Sequence, residues 1–157
     1  LNIDVTAFTE TFYHCYCRGG LAAVKQTVEL AARHSHVEVT TLIIPGLNDS
    51  EDEIAELAEW LANIRPDIPL HLSRYFPNYK LDLPPTPLAS LERAYQTAKR
   101  YLSYVYIGNV FDSRMNTHCP RCQTVVIDRL RGKSRLTPAK ACPQCGQAIS
   151  ITGDVRF

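Results

Sequence analysis

The stretch VEVTTLIIPGLNDSEDEI, residues 37–54, contains the end of one secondary-structure element and the start of the next. Its first half is rich in Val, Thr and Ile, which predicts a strand over 36–44 that Pro45 and Gly46 terminate. Ser50 with Glu53 three residues later has the form of a capping box, and the acidic residues beside it suit a helix N-terminus. The stretch therefore predicts a βα unit.

The same unit recurs on both sides of this stretch. Strands are predicted over 1–8, 36–44, 69–76 and 104–110, and helices over 21–34, from 51 onward and over 88–102. Thr86 and Pro87 offer an N-cap and a first-turn proline for the third helix. Alternating strands and helices predict the α/β class with a parallel sheet, whose functional loops follow the carboxyl ends of the strands. Four strands would make a half barrel or a small open sheet.

Composition limits the classes of function. The chain has 157 residues, of which 45% are hydrophobic, which is enough for a core. No apolar run approaches the roughly 20 residues of a membrane helix, so a cytoplasmic location without membrane contact is expected. The formal net charge of +1 gives the whole chain no field that attracts nucleic acid. A local patch would be needed, and the basic stretch at 129–135 is either such a patch or, in preference, a solvated hairpin.

Two Cys-Pro-x-Cys pairs follow the βα region. Cys119 and Cys122 form the first pair, Cys142 and Cys145 the second, and 19 residues separate them. Each pair presents two thiolates on one turn, and two facing turns give the tetrahedral sulfur cage that zinc accepts. Iron in a rubredoxin-like cage and buried free cysteines are the alternatives. A closed four-thiolate site has no open position for water, which predicts a structural metal in a separate module.

Two further cysteines, Cys15 and Cys17, follow the first predicted strand. A Cys-x-Cys pair is a weak pattern, and these thiols are candidates for metal binding, for redox chemistry or for plain burial. Their role stays open at this stage.

Several stretches together resemble a known enzyme family. They are LNIDVTAFTETFYHCYCRGGL, TTLIIPGLNDSE, HLSRY, and GNV before NTHCP. These resemble the C-terminal half of radical SAM enzymes related to pyruvate formate-lyase activating enzyme, in particular the radical SAM enzyme of the AmmeMemoRadiSam system. The resemblance implies that residues 1–113 are the C-terminal half of a partial (βα)6 TIM-like barrel. Residues 114–157 would be a zinc-ribbon-like module.

The resemblance also implies an activity for the full-length protein. It would use a [4Fe-4S] cluster to cleave S-adenosylmethionine and start hydrogen abstraction from an unidentified substrate, a protein being one candidate. Family members hold the cluster through CxxxCxxC, and no such triplet occurs here. The chain is therefore expected to be a fragment that is inactive alone, and no catalytic residue is predicted within it.

The resemblance suggests which residues contact the cofactor or line its cavity. The loop after the 36–44 strand would border S-adenosylmethionine, and Thr6 stands where relatives carry a lysine two residues after an aspartate. The predicted set is Asp4, Thr6, Thr40, Leu42, His71, Ser73 and Tyr75. Each also has an ordinary structural interpretation: local pairing for Asp4 and Thr40, core packing for Leu42, and a satisfied buried imidazole for His71.

The alternative function is a non-catalytic zinc-ribbon module that binds RNA or a protein, with the βα part as scaffold. Arg129, Arg131 and Arg135 would carry RNA binding in that case. A half barrel leaves two sheet edges and an apolar interior uncovered, so self-association of the isolated chain is expected.

Overall fold

The computed structural model describes residues 1–153, which fall into two compact units. The first is Leu1–Val110 and the second begins at Phe111. Within the described residues, no helix combines the length and apolar character needed to cross a membrane.

A four-stranded parallel sheet organises the first unit. Its strands are β1 (Asn2–Asp4), β2 (Glu38–Ile43), β3 (Leu70–Arg74) and β4 (Val105–Gly108), and they lie side by side in chain order. Every neighbouring pair is parallel. The strands are shorter than predicted, most clearly β1, because beyond Asp4 the chain keeps a bond from Val5 N to Thr40 O and then turns into a helix.

The helices lie between the strands, as the βα pattern predicts. They are α1 (Glu10–Phe12), which continues into a π-helical turn (Tyr13–Cys17), α2 (Leu21–His34), α3 (Glu51–Ile64) and α4 (Leu88–Ala98). The range predicted for α2 agrees with the structure, whereas α4 ends four residues earlier than predicted. The Glu10 carboxylate accepts hydrogen bonds from Leu21 N at 3.0 Å and Ala22 N at 3.2 Å, so it caps α2 from outside the helix.

The predicted start of α3 is confirmed, but the capping box is only half formed. Ser50 is the N-cap, and its hydroxyl accepts a hydrogen bond from Glu53 N at 3.2 Å. The Glu53 carboxylate accepts instead from Phe8 N at 2.6 Å, which ties α3 to the segment after β1. Burial raises the pKa of Glu53.

The prediction that Thr86 caps α4 is wrong. Pro87 occupies the N-cap position and makes no side-chain capping bond. Thr86 is fully buried, where its hydroxyl accepts from Tyr75 N at 2.8 Å and donates to Ile43 O at 2.6 Å. A side chain that satisfies backbone groups at two strand ends is not available to a helix end.

The two faces of the sheet differ. Alternate strand residues, among them Val39, Ile43, Leu70 and Leu72, are fully buried and share one core with the inner faces of the helices. The positions between them are only partly buried along β2 and point to the opposite face. The first unit therefore has one face covered by helices and one face lined by polar side chains.

The second unit is a small antiparallel structure. A 3-10 turn (Ser113–Met115) precedes three short strands, β5 (Thr117–His118), β6 (Val125–Asp128) and β7 (Lys133–Ser134), which form one sheet with β6 in the centre. Its buried hydrophobic residues, among those that the structure describes, are Val126, Ile127, Ile149, Cys119 and Cys142. The core is small, so cross-linking by a metal would matter to its stability.

Candidate functional site

A cleft lies at the carboxyl ends of β2, β3 and β4, where ligands bind in parallel sheets. Its volume is about 470 Å³, within the range of small-molecule sites. The walls are mainly apolar and aromatic; the residues on them include Leu42, Ile44, Tyr75, Phe76, Tyr79 and Leu81. Arg74, Asn78 and Asn109 supply polar groups. Such a composition suits a flat, partly apolar ligand.

The Pro-Gly turn after β2 is held by Asn48. This side chain is 2% exposed, and its Oδ1 accepts a hydrogen bond from Ile44 N at 2.7 Å. Its Nδ2 donates to Leu42 O at 2.8 Å and to Thr6 O at 2.5 Å. Asn48 thus joins the end of β2 to the segment after β1, and it fixes the wall of the cleft that Leu42 and Ile44 form.

The wall after β3 is held in a similar way. The Tyr75 hydroxyl donates to Leu81 O at 2.6 Å, and Arg74 Nε donates to Thr86 O at 2.8 Å. The Arg74 guanidinium also lies 4.8 Å from the centroid of the Phe76 ring. The positive charge in the cleft is therefore positioned by a hydrogen bond and an aromatic face together.

A row of side chains crosses the open face of the sheet. The strand register places Asp4, Thr40, His71 and Tyr106 opposite one another. The His71 ring stacks on Tyr106 with centroids 5.1 Å apart. Thr40 Oγ1 donates to Asn2 Oδ1 at 2.9 Å, so Thr40 is paired with a residue of the neighbouring strand β1 and not with a neighbour in sequence. The row is polar, and it is held partly by a contact within it and partly by a residue outside it.

Glu38 is a charged residue beside this row, two positions before Thr40 on β2. One of its carboxylate oxygens lies 2.7 Å from His71 Nε2, and the other lies 3.2 Å from His36 Nε2. The hydrogen bond with His71, followed by the smaller effects of its charge and of His36, lowers the pKa of Glu38 to about 2 despite partial burial. Glu38 is ionised at neutral pH and fixes the orientation of both imidazoles.

A second row lies nearer the carboxyl ends of the strands. Leu42, Ser73 and Gly108 are paired there across β2, β3 and β4. A Cβ atom on Gly108 would lie 2.9 Å from Ser73 Oγ, so a glycine is needed for the present Ser73 rotamer. This row borders the cleft through Leu42.

The residues predicted to contact the cofactor fall in four places. Asp4, Thr40 and His71 share the first row, and Leu42 and Ser73 share the second. Thr6 follows β1, where its carbonyl accepts from Asn48. Tyr75 follows β3, is buried, and borders the cleft with its ring.

The structure brings the four paired cysteines of the second unit together. The Sγ atoms of Cys119 and Cys145 are 3.6 Å apart, as are those of Cys122 and Cys142, and all four lie within 4.8 Å of one another. The knuckles fold back on themselves, because Gln123 N donates to Cys119 O and Gly146 N donates to Cys142 O, both at 2.9 Å. Positive φ angles at Gln123 and Gly146 allow both turns.

This sulfur cluster fits a tetrahedral metal ion. Zn–S bonds of about 2.3 Å place the sulfurs of a regular tetrahedron about 3.8 Å apart, close to the observed separations. Hydrogen bonding with Thr124 lowers the pKa of Cys122 to about 6, whereas, despite a hydrogen bond with the Gln147 backbone, desolvation and the three neighbouring thiols raise the pKa of Cys145 to about 12. The case for a metal therefore depends on the geometry of the four sulfurs and not on these shifts. The cluster can bind a metal ion, and its closed geometry fits a structural role.

Cys15 and Cys17 are exposed and lie on the π-helical turn of the first unit. In sequence, they are far from the cysteine pairs of the second unit. Partial burial raises the pKa of Cys17, which disfavours a reactive thiolate.

Sequence reasoning missed Asn48, Glu38 and Tyr106. Asn48 stands two residues after the Pro-Gly turn, and Asn side chains in turns often form hydrogen bonds with nearby backbone groups. A local sequence pattern could therefore have identified it. Glu38 and Tyr106 acquire their partners only through strand register.

Comparisons with known proteins identify one relative by sequence and one solved structure with a similar fold. No protein-family model matches the chain. An uncharacterized protein of Methanocaldococcus jannaschii is 38% identical over 160 residues, which cover 96% of this chain and 48% of the relative. The chain thus spans about half the length of the curated relative that it matches. A crystal structure of a domain of pyruvate-formate lyase-activating enzyme from Bacteroides vulgatus superposes with a TM-score of 0.59 and 23% identity, covering 69% of this chain and 66% of that chain. The two share a fold.

Proposed function

We propose that residues 1–110 form an arc of the barrel of a radical SAM enzyme related to pyruvate formate-lyase activating enzymes. The observation that carries this proposal is the arrangement of the sheet. Its four strands are parallel in chain order, and a polar row faces away from the helices. In a βα barrel the helices form the outer ring, and the face of the sheet opposite them lines the interior. The structural likeness to a domain of such an enzyme supports the same interpretation.

S-adenosylmethionine would lie at the carboxyl ends of the strands, in the cleft. Leu42 and Ile44 would contact the adenine, while the row of Asp4, Thr40 and His71 would face the polar remainder of the cofactor and the substrate. When bound to an iron–sulfur cluster, the cofactor supplies the radical chemistry. The residues of this chain would orient it and exclude water around it.

The sequence lacks the cysteine motif that would bind the iron–sulfur cluster. Its cysteines stand at 15, 17, 119, 122, 142 and 145, and none form a CxxxCxxC triplet. We derive no step through the cluster, and in this proposal its ligands belong to polypeptide other than these residues. The AmmeMemoRadiSam subfamily and an unidentified substrate remain part of the proposal. The second unit would hold zinc as a structural metal.

The proposal is tested by titrating the chain with S-adenosylmethionine and with adenosine while recording backbone NMR shifts. Residues bordering the cleft, including Ile44 and Asn109, should shift, and L42E should abolish the shifts. L30E is the matched control, since Leu30 is an exposed helix residue outside the cleft. Unchanged cleft resonances at millimolar ligand in a folded chain would contradict the proposal, as would equal effects of L42E and L30E.

A further inference from the structure

The net charge of the chain conceals a division between its two units. Residues 1–110 contain 9 Lys and Arg against 13 Asp and Glu, a net charge of −4. Residues 111–157 contain 8 Lys and Arg against 3 acidic residues, a net charge of +5, and no glutamate. The whole-chain value of +1 therefore does not exclude a polyanionic partner for the second unit.

The acidic residues described in the second unit are already engaged. Asp112 accepts a bidentate pair of hydrogen bonds from Arg114, at 2.8 and 2.7 Å. Asp128 is buried at the end of β6, where its Oδ1 accepts from Arg131 N at 3.1 Å. Asp128 also lies 3.9 Å from the Arg131 guanidinium, a long contact to a side chain that is 74% exposed.

The cations of the second unit concentrate on the hairpin between β6 and β7. Arg129, Arg131, Lys133 and Arg135 occupy every second position along it, and Arg121 lies on the first cysteine knuckle. All five residues are exposed. Gly132, with φ +60°, allows the tight turn in the middle of the series.

The hairpin presents these cations from a fixed backbone. Asn116 Oδ1 accepts a hydrogen bond from Arg129 N at 2.7 Å, and Arg135 N donates to Val126 O at 2.9 Å. The register pairs Ile127 with Ser134 and Asp128 with Lys133. Rigid presentation reduces the entropy lost on binding.

We propose that the basic hairpin, residues 129–135, together with Arg121, binds the phosphate backbone of a nucleic acid. Four cations on one short hairpin favour a ligand with several anions close together, and a nucleic acid strand supplies one phosphate per about 3.4 Å of helix axis. Arginine predominates over lysine, and its guanidinium matches phosphate oxygens in pairs. Bound zinc with four thiolates adds a formal charge of about −2, so the unit stays cationic when loaded.

Binding of the nucleic acid by the basic hairpin would not depend on the base sequence. Among residues 111–157 the aromatic side chains are Phe111 and Phe157, neither of which lies on the hairpin. The hairpin itself offers no aromatic side chain for base stacking, so we assign the affinity to phosphate contacts. This inference concerns the second unit and does not depend on the proposed radical SAM function.

The test measures binding of fluorescein-labelled 12-nucleotide RNA and DNA single strands to the full chain loaded with zinc, between 50 and 200 mM salt. The variant R131A/R135A should weaken binding. It should also reduce the magnitude of the slope of log K against log salt by about 1.4, because each of the two lost phosphate contacts contributes roughly 0.7 for a single strand. R131K/R135K should retain most of the affinity. R33A/R100A removes two exposed charges from the first unit and should leave binding unchanged.

Zinc stoichiometry of each variant verifies that the second unit is folded. Comparing the RNA and DNA strands separates the two sources of phosphodiester, and tight salt-dependent binding of either supports the inference. Absence of binding at 50 mM salt overturns it, and so does an equal loss in R33A/R100A. Tighter binding of poly-glutamate than of both nucleic acids at the same salt also overturns it, in favour of an acidic protein.

Discussion

Glu38 Oε2 lies 2.7 Å from His71 Nε2, across the boundary between the parallel strands β2 and β3. The two residues are 33 positions apart in sequence, and the register of the sheet brings them together on its open face. The contact fixes His71, a member of the polar row that we propose to face the cofactor. Its chemistry can be measured directly, because the carboxyl pKa reports the contact.

Removal of the imidazole should release this carboxyl. In H71A the pKa of Glu38 should rise from about 2 toward the ordinary 4.5, since His71 is the main cause of its depression. H36A should produce a smaller rise because His36 contributes less. Carboxyl ¹³C NMR titration measures both values. Equal rises in the two variants would show that the pair is not the dominant contact.

The same depression predicts acid sensitivity of the first unit. A glutamate whose folded pKa lies below its unfolded value stabilises the fold above pH about 4.5, and this contribution is lost as the pH falls toward 2. E38Q should therefore lose less unfolding free energy over that interval than the wild-type chain. Urea denaturation followed by the fluorescence of Trp60, the single tryptophan, measures this in the first unit. A parallel pH dependence in the two proteins would contradict it.

Asn48 should be more important for stability than its place in a surface turn suggests. N48A removes the partner of the buried Ile44 N and the donor to Thr6 O and Leu42 O, so a loss of about 2–4 kcal/mol is expected. D49A is the control, because Asp49 makes an exposed bond to Gly46 N that is worth about 1 kcal/mol or less. Trp60 fluorescence in urea measures both. A loss in N48A no larger than in D49A would mean that the bonds are not maintained in solution.

Thr86 should tolerate loss of its methyl group better than loss of its hydroxyl. T86V leaves Tyr75 N and Ile43 O without their partner, which should cost about 2–4 kcal/mol. T86S keeps the hydroxyl and should cost about 1 kcal/mol for the missing methyl. The order of urea midpoints, wild type above Ser above Val, checks the bridge between the two strand ends. The reverse order for Ser and Val would refute it.

The sequence predicted features whose interacting residues are close together along the chain, and it missed features whose partners are far apart. The extent of α2, the Ser50 cap and the cysteine knuckles follow from patterns within a few residues, and these were predicted. Thr86 was misassigned because its partner Ile43 is 43 residues away, and a local pattern favours capping. The pairing of Glu38 with His71 likewise requires the strand register. The period-2 pattern of a strand placed Thr40 and Leu42 on one face of the sheet. It did not identify which residues of the neighbouring strands lie opposite them.

The metal centre of the second unit gives a test in which the two groups of cysteines serve as each other's control. C142S removes a buried ligand, so bound zinc should fall from one equivalent to nearly none and the second unit should lose its antiparallel sheet, because its core is too small to fold without the metal. C15S/C17S should retain the full equivalent, since both thiols are exposed and lie outside the cluster. Elemental analysis measures the metal, and amide NMR shifts of Val126 and Ile127 report the sheet. Iron in place of zinc in protein prepared without chelators would correct the identity of the metal but keep the site. Retention of metal by C142S, or its loss from C15S/C17S, would place the site elsewhere.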